Sequence, residues 1–341
     1  MFIKIFKSIR NKIYHSNDND YYYGSFKGGI SFWKLFLFNI CYPGRLFNQL
    51  KFGQIKYFNY LKNKKKDKNF NSNIELKKKF NELNNNGSIT IDSFFSKELI
   101  DKFKKDYSNE INFLKSQNSD HNKYFKETGL KIKKSLIELW LNKDIINLMT
   151  HYMGTNIYAR NYPTLNYSVC KSESNSKIQH KDGINTDVSD TWHVDHSTLI
   201  SVHVFLDEVK KDGTCMEFIK GSNKFLNSFF SISDEIISES NLEKKQCYGD
   251  AGSINIHCGN VVHRMRPKPN SNRLMLTLGF TAGSNIMLDV KNIAKCLNSD
   301  FSLENLNQKE RDLLKGIFPK KLSKGYDLQK KVLKPTTYMG V

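Results

Sequence analysis

The sequence predicts a mainly β chain with helical additions, folded as a sandwich or jelly roll. Three observations carry this expectation. Residues 199–280 divide into many short apolar segments, rich in β-branched residues and separated by turns. Ahead of them stands His193-Val194-Asp195, whose outer two side chains would share one face of a strand. The chain, at 341 residues, is long enough to bury a large core, and one β-rich domain with added helices suits that length.

In chain order, Phe2, Ile5, Phe6, Ile9 and Ile13 fall at helical spacing with Lys4, Lys7, Arg10 and Lys12 among them, which reads as a basic amphipathic helix. Ser31–Tyr42 adds a second apolar, aromatic run, shorter than the roughly 20 residues that span a bilayer. Residues 63–69 offer no apolar side chain to bury and mark a boundary. Tyr158–Val169 reads as an early barrel strand, with Arg160, Tyr162, Asn166 and Tyr167 as candidates for the pocket. Leu199–Leu206 is a strand, Asp207–Gly213 a charged turn, and Cys215–Ile219 a short strand that Lys220–Asn223 breaks. Gly249–Gly252 turns the chain into Ser253–His257, and Val261–His263 follows. A proline-bearing turn, Arg266–Asn270, leads to the last strand, Arg273–Phe280. There Leu274, Leu276 and Leu278 face one way, and Arg273, Met275 and Thr277 the other. The expected organisation is a basic amphipathic extension (1–75), a barrel (76–290) and a basic helical or extended tail (291–341).

His193 and Asp195 offer a nitrogen and an oxygen side by side. Joined by His263 from a distant strand, two imidazoles and a carboxylate suffice to hold one face of a ferrous ion, leaving the other open for a co-substrate and dioxygen. Arg273 adds a fixed positive charge suited to a dicarboxylate. A second triplet, His180-Lys181-Asp182, competes. It runs into the polar, turn-prone Gly183–Asp187 rather than a hydrophobic strand, and reads as a loop over the site mouth. The bland alternative for His193 and Asp195 is a structural pair on a surface strand; the ordered company of His263, Arg273 and the turns argues against it. His196 and His203 read as packing or hydrogen-bonding residues rather than metal ligands. Arg264 and Arg266 are either a solvated basic turn or a recognition element for an anionic substrate, and both readings stand.

Residues 192–224 (WHVDHSTLISVHVFLDEVKKDGTCMEFIKGSNK) and 249–280 (GDAGSINIHCGNVVHRMRPKPNSNRLMLTLGF) together resemble the phytanoyl-CoA dioxygenase family of iron(II)- and 2-oxoglutarate-dependent oxygenases. Residues 81–109 (NELNNNGSITIDSFFSKELIDKFKKDYSN) resemble that family's amino-terminal start, so the likeness spans roughly residues 81–285. It implies a double-stranded β-helix, a cupin-like jelly roll with helices outside. It implies that His193, Asp195 and His263 are the catalytic iron ligands, and that Arg273 pairs with the far carboxylate of 2-oxoglutarate. His203 and Thr277 would complete the co-substrate contacts. The cofactors are then Fe(II) and the co-substrate 2-oxoglutarate, with ascorbate a candidate stimulant. His203 stands where many members carry tryptophan, and Met265 where a hydroxyl residue is common. His257 stands where aspartate is common, and is either a support for the ligands or an exposed residue. Related halogenating enzymes replace the carboxylate with a small residue; Asp195 is retained, which implies hydroxylation with release of succinate and carbon dioxide.

The formal charge of +19 is uneven. Residues 1–80 hold 17 Lys/Arg against 4 Asp/Glu, and residues 311–341 hold 8 against 2, while the middle balances 28 with 28. The basic arms therefore suggest peripheral contact with an anionic membrane, or simple packing on the barrel. No recognised binding motif accompanies the charge, so nucleic acid is not an expected partner. The six cysteines show no paired or metal-finger spacing and no secretory signal is legible, which points to a reducing, cytoplasmic setting. The expected function is a dioxygenase that hydroxylates a small-molecule or lipid-linked substrate. Two alternatives remain open: a non-catalytic jelly-roll binding module tethered by its basic arms to a membrane or polyanion, and a metal-dependent barrel enzyme that does not use 2-oxoglutarate.

Overall fold

The computed structural model describes residues 74–118, 123–128, 130–153, 157–160, 162–171, 192–195, 199–224, 234–259, 261–281 and 306–314. The amphipathic segments of the amino terminus, the 180–182 triplet, His196 and the chain after residue 314 lie outside the described residues.

The strands are β1 (Ser88–Ile91), β2 (Lys123–Glu127), β3 (Tyr158–Ala159), β4 (Thr164–Val169), β5 (Leu199–Phe205), β6 (Cys215–Ile219), β7 (Lys244–Cys247), β8 (Ile254–Cys258), β9 (His263–Arg266) and β10 (Arg273–Thr281). The large sheet has the order β1-β8-β5-β10-β4-β2, with β3 also on β10; the small sheet has the order β7-β6-β9. All these pairings are antiparallel. From β5 onward the chain alternates between sheets: β5, β8 and β10 lie in the large sheet, and β6, β7 and β9 in the small one. That alternation winds two strands' worth of chain around one interior, the jelly-roll double-stranded β-helix expected from the sequence.

Tyr158–Val169 is two strands rather than one. Pro163 has no N–H for the ladder, and the chain leaves β10 after Ala159 and rejoins it at Thr164. β9 begins at His263 and runs to Arg266, so the histidine opens this strand instead of closing the preceding one. β7 carries exposed lysines at a sheet edge, a placement that guards an edge against pairing with another chain.

Seven helices are described: α1 (Ile74–Asn86), α2 (Lys97–Asp106), α3 (Ser108–Ser116), α4 (Lys134–Trp140), α5 (Lys143–Met153), α6 (Asp234–Glu239) and α7 (Gln308–Leu314). α2 starts at Ser96, whose hydroxyl accepts from Leu99 N (3.3 Å), and buries Ile100 and Phe103. Asn142 caps α5 in the same way, accepting from Asp144 N and Ile145 N. α5 buries Ile145, Leu148, Met149, Tyr152 and Met153 in the core that also takes Leu274, Leu276 and Leu278 from β10. β10 is thus buried on both faces, with leucines in the core and the polar face of Arg273 and Thr277 toward the barrel interior. Leu306, Leu313 and Leu314 enter the same core, so part of the segment beyond residue 290 packs with the barrel. Among the described residues no helix is long and apolar enough to cross a membrane.

Two ionic features hold elements together. Asp207, just past β5, accepts from Lys104 Nζ (2.6 Å) of α2 and Lys115 Nζ (2.9 Å) of α3. Burial opposes its ionisation, but the two lysines outweigh that and hold its carboxyl below the ordinary carboxylate range. On the outer face of the small sheet, Glu217 of β6 is buried and bonded by Arg264 (3.0 Å) of β9 and by Gln246 (3.1 Å) of β7. Arg264 also reaches Asp234 (3.0 Å) and lies over the Trp192 ring (4.3 Å), while Trp192 Nε1 donates to Asp234 (2.8 Å). Arg266 lies 3.7 Å from Glu217. Strand alternation turns both arginines away from the face of His263, so they form an internal ion network rather than a solvated turn or a pocket for an anionic substrate.

Replacing Glu217 with Ala should cost about 2–3 kcal/mol in urea unfolding, because a desolvated arginine network loses its carboxylate. The same change at the exposed Glu243 should leave the unfolding midpoint where it was. Asp207→Asn should cost about 1 kcal/mol at neutral pH, since the pair is partly exposed. Asp207 has a folded pKa below its unfolded one, so its stabilisation is present above the unfolded value and lost as pH falls through the folded one. The gap between wild type and Asp207→Asn should therefore narrow as pH is lowered from about 7 toward about 3.

Candidate metal centre

The distant segments meet through the backbone. His193 N donates to His263 O (3.0 Å) and His263 N donates to His193 O (2.9 Å), an isolated antiparallel bridge that extends the small sheet beyond β9. The two rings are then neighbours, with centroids 4.4 Å apart and planes tilted by 52°. Asp195 follows two residues on, and its Oδ2 lies 3.8 Å from His263 Nε2. One ligand atom from each of His193, Asp195 and His263 lies within 4.8 Å of the others, close enough to converge on one metal ion.

The protonation states suit that task. His263 Nδ1 sits 2.9 Å from the carbonyl of Val261, which can only accept, so the ring proton is on Nδ1 and the Nε2 lone pair is free. Burial, followed by neighbouring His257, pushes its pKa down to about 4, keeping the ring neutral at physiological pH. Burial raises the pKa of Asp195, but its polar contacts with His257 (Nε2 3.7 Å away), His263 and His193 more than offset this and hold the carboxyl ionised, well below the usual range. A neutral imidazole and an ionised carboxylate are the forms that bind metal.

The opposing wall comes from the large sheet. Its register aligns Thr164, Thr277, His203, Asn255 and Thr90 in one row. Asn166 Nδ2 donates to Thr277 Oγ1 (2.5 Å), and that hydroxyl lies 2.9 Å from His203 Nδ1. The hydroxyl thus ties Asn166 and His203 into one chain of hydrogen bonds and fixes the orientation of the ring. Burial, with His257 and Arg273 nearby, drives the pKa of His203 well down and keeps it neutral. Asn255 is anchored to Ser88 Oγ and Ile89 O, both at 2.9 Å, and fixes β8 against β1. β8 is aimed by Gly252, at φ +92°, where a Cβ would meet Phe95 O at 2.4 Å.

His257 is buried, at 1% exposure. It sits between the two walls, with ring centroids 5.1 Å from His203 and 4.5 Å from His263, and Nε2 3.7 Å from Asp195 Oδ2. Among the described residues neither ring nitrogen has a hydrogen-bond partner. Of the two readings left open by the sequence, the structure selects the support beside the candidate ligands.

Arg273 is 5% exposed at the start of β10, paired in register with Ser168 of β4. Arg273 Nε and Ser168 Oγ are both buried without a partner, and the register puts them on one face. Two neighbouring unsatisfied donors, one of them cationic, fit a carboxylate. Sequence reading found Arg273 and passed over Ser168, whose facing depends on where β4 rejoins the ladder after Pro163. The structure places His203 and Thr277 together on this wall, with Thr277 acting through His203.

Residues 83–271 match the sequence profile of the phytanoyl-CoA dioxygenase family. No curated protein matches the sequence. Among solved structures, the chain is similar to SnoN, a non-heme alpha-ketoglutarate-dependent epimerase from nogalamycin biosynthesis (13% identity, 61% of this chain, 80% of that chain, TM-score 0.44). It is similar to SnoK, an alpha-ketoglutarate-dependent carbocyclase from the same biosynthesis (12% identity, 63% of this chain, 88% of that chain, TM-score 0.45). EctD from S. alaskensis, solved with 2-oxoglutarate and 5-hydroxyectoine, gives 15% identity over 61% of this chain and 76% of that chain, with TM-score 0.44. The profile match covers more than half of the chain, and the protein belongs to the phytanoyl-CoA dioxygenase family of iron(II)- and 2-oxoglutarate-dependent oxygenases.

Proposed function

We propose that His193, Asp195 and His263 hold the ferrous ion and that the protein hydroxylates an unactivated carbon of a small-molecule or lipid-linked substrate. The observation that carries the reading is the convergence of three ligand atoms within 4.8 Å, with His263 offering a free Nε2 lone pair and Asp195 an ionised carboxylate. Bound iron and 2-oxoglutarate supply the oxidising chemistry, in which 2-oxoglutarate becomes succinate and carbon dioxide.

The chain's own residues do the rest. Arg273 binds the far carboxylate of 2-oxoglutarate with paired N–H donors, and Ser168 adds a hydroxyl beside it. His203, held by Thr277 and Asn166, presents a neutral imidazole toward the co-substrate. His257 fills the space behind His263 and Asp195 and supports their orientation. The retained carboxylate of Asp195 would serve as a metal ligand where related halogenating enzymes carry a small residue, which favours hydroxylation.

Succinate release by the purified protein, with Fe(II) and 2-oxoglutarate present and ascorbate added as reductant, tests the reading. The wild type should release succinate, chelation of the metal should abolish it, and His263→Ala and Asp195→Ala should lose it together with iron binding. Arg273→Gln should weaken 2-oxoglutarate affinity by about 10- to 100-fold while iron binding persists, the loss of a charge-assisted bidentate contact. A wild-type protein that binds neither iron nor 2-oxoglutarate would instead be a binding module. Iron binding by the wild type without 2-oxoglutarate binding would make it a metal enzyme that uses no such co-substrate, and 2-oxoglutarate affinity unmoved in Arg273→Gln would remove Arg273 as its anchor.

A further inference from the structure

The barrel interior holds a second guanidinium, Arg160, outside the candidate metal cluster and distant along the sheet from Arg273. Arg160 N donates to Gly279 O (2.8 Å), carrying the β3–β10 register one residue past Ala159. Gly279 pairs with Ser201, and Ser201 with His257. Arg160, Gly279, Ser201 and His257 therefore make a row on the interior face, next to the row of Thr277 and His203. His257 stands against His263 at the end of that row. Arg160 is half-buried, and among the described residues its guanidinium has no hydrogen-bond or ion-pair partner. Burial lowers its pKa, and Asp195, near enough to be felt, raises it. Asp195 itself is taken up by the metal cluster.

Arg160 and Arg273 sit at opposite ends of the same run of β10. Gly279 lies six positions after Arg273, about 20 Å of strand, with side chains standing off the sheet. That is far longer than a five-carbon dicarboxylate, so 2-oxoglutarate held at Arg273 leaves Arg160 free for a different anion. A guanidinium stays charged even when partly desolvated, and without a counterion that burial is unfavourable.

We propose that Arg160 binds an anionic group of the primary substrate, a carboxylate or a phosphate, and so makes the enzyme selective for acidic substrates. This rests on the reading of His193, Asp195 and His263 as the iron centre. Anaerobic calorimetry of the Fe(II)-loaded protein saturated with 2-oxoglutarate tests it, with hexanoate, inorganic phosphate and the neutral hexanamide as probes. At least one anion should bind saturably, and the amide should bind at least about ten-fold more weakly. Arg160→Gln should weaken the bound anion by about ten-fold or more, and Arg160→Lys should recover part of the loss. The proposal is overturned if neither anion binds, if the amide binds as tightly as hexanoate, or if Arg160→Gln binds the anion as the wild type does. It is also overturned if Arg160→Gln loses iron, because Arg160 would then serve Asp195 instead. A wild type that takes up no 2-oxoglutarate with iron would sink the reading of the iron centre itself, an outcome separate from these.

Discussion

The pair of backbone hydrogen bonds between His193 and His263 is the constraint from which the candidate site follows. Two segments far apart in sequence become neighbours only because β9 uses its free edge to accept a short bridge from Trp192-His193. Once the bridge is made, side-chain alternation leaves little choice. His193 and His263 point inward together, Asp195 arrives beside them, and Trp192 and Arg264 point outward together. The outer pair is then locked through Asp234 and Glu217, so the ion network on one face of the small sheet stiffens the metal face on the other. The energetic weight lies in the network and the core; the functional weight lies in the few polar groups that the same strands turn inward.

The large sheet answers with a polar wall of unusual composition for a barrel interior. His203, Thr277, Asn166, Asn255 and His257 occupy positions that apolar residues could fill, and each polar group must be satisfied or held for a ligand. Thr277, Asn166 and the Nδ2 of Asn255 are bonded within the protein, whereas among the described residues Arg273 Nε, Ser168 Oγ and both nitrogens of His257 find no hydrogen-bond partner. These last groups stand where the co-substrate and the metal ligands would be. Charge is distributed in keeping: the Asp195 carboxylate beside the neutral ring of His263 at the centre, with one guanidinium toward each end of β10.

Much of this was legible in the sequence because it rests on local rules. The two-residue spacing of His193 and Asp195, the strand alternation that separates Arg273 and Thr277 from the leucines of β10, and the turns at Asp212-Gly213 and Asp250-Gly252 need no tertiary knowledge. What was not legible depends on long-range pairing. Arg264 and Arg266 look like a basic turn until Glu217 and Asp234 are brought to them from other elements. His257 could have been inside or outside, since strand periodicity gives two faces without saying which is the interior. Pro163 split one expected strand in two, which set the facing of Ser168 and left Arg160 at a break. β7, with two lysines in four residues, has no apolar pattern to betray it and is a strand because β6 offers it an edge.

An iron-edge anomalous difference map from crystals grown anaerobically with Fe(II) and 2-oxoglutarate is the most direct measurement of the central claim. The account predicts one strong peak bounded by His193 Nε2 or Nδ1, an Asp195 oxygen and His263 Nε2, with 2-oxoglutarate density ending in a carboxylate against Arg273 and Ser168. A peak bound elsewhere, or a co-substrate carboxylate resting away from Arg273, would contradict it.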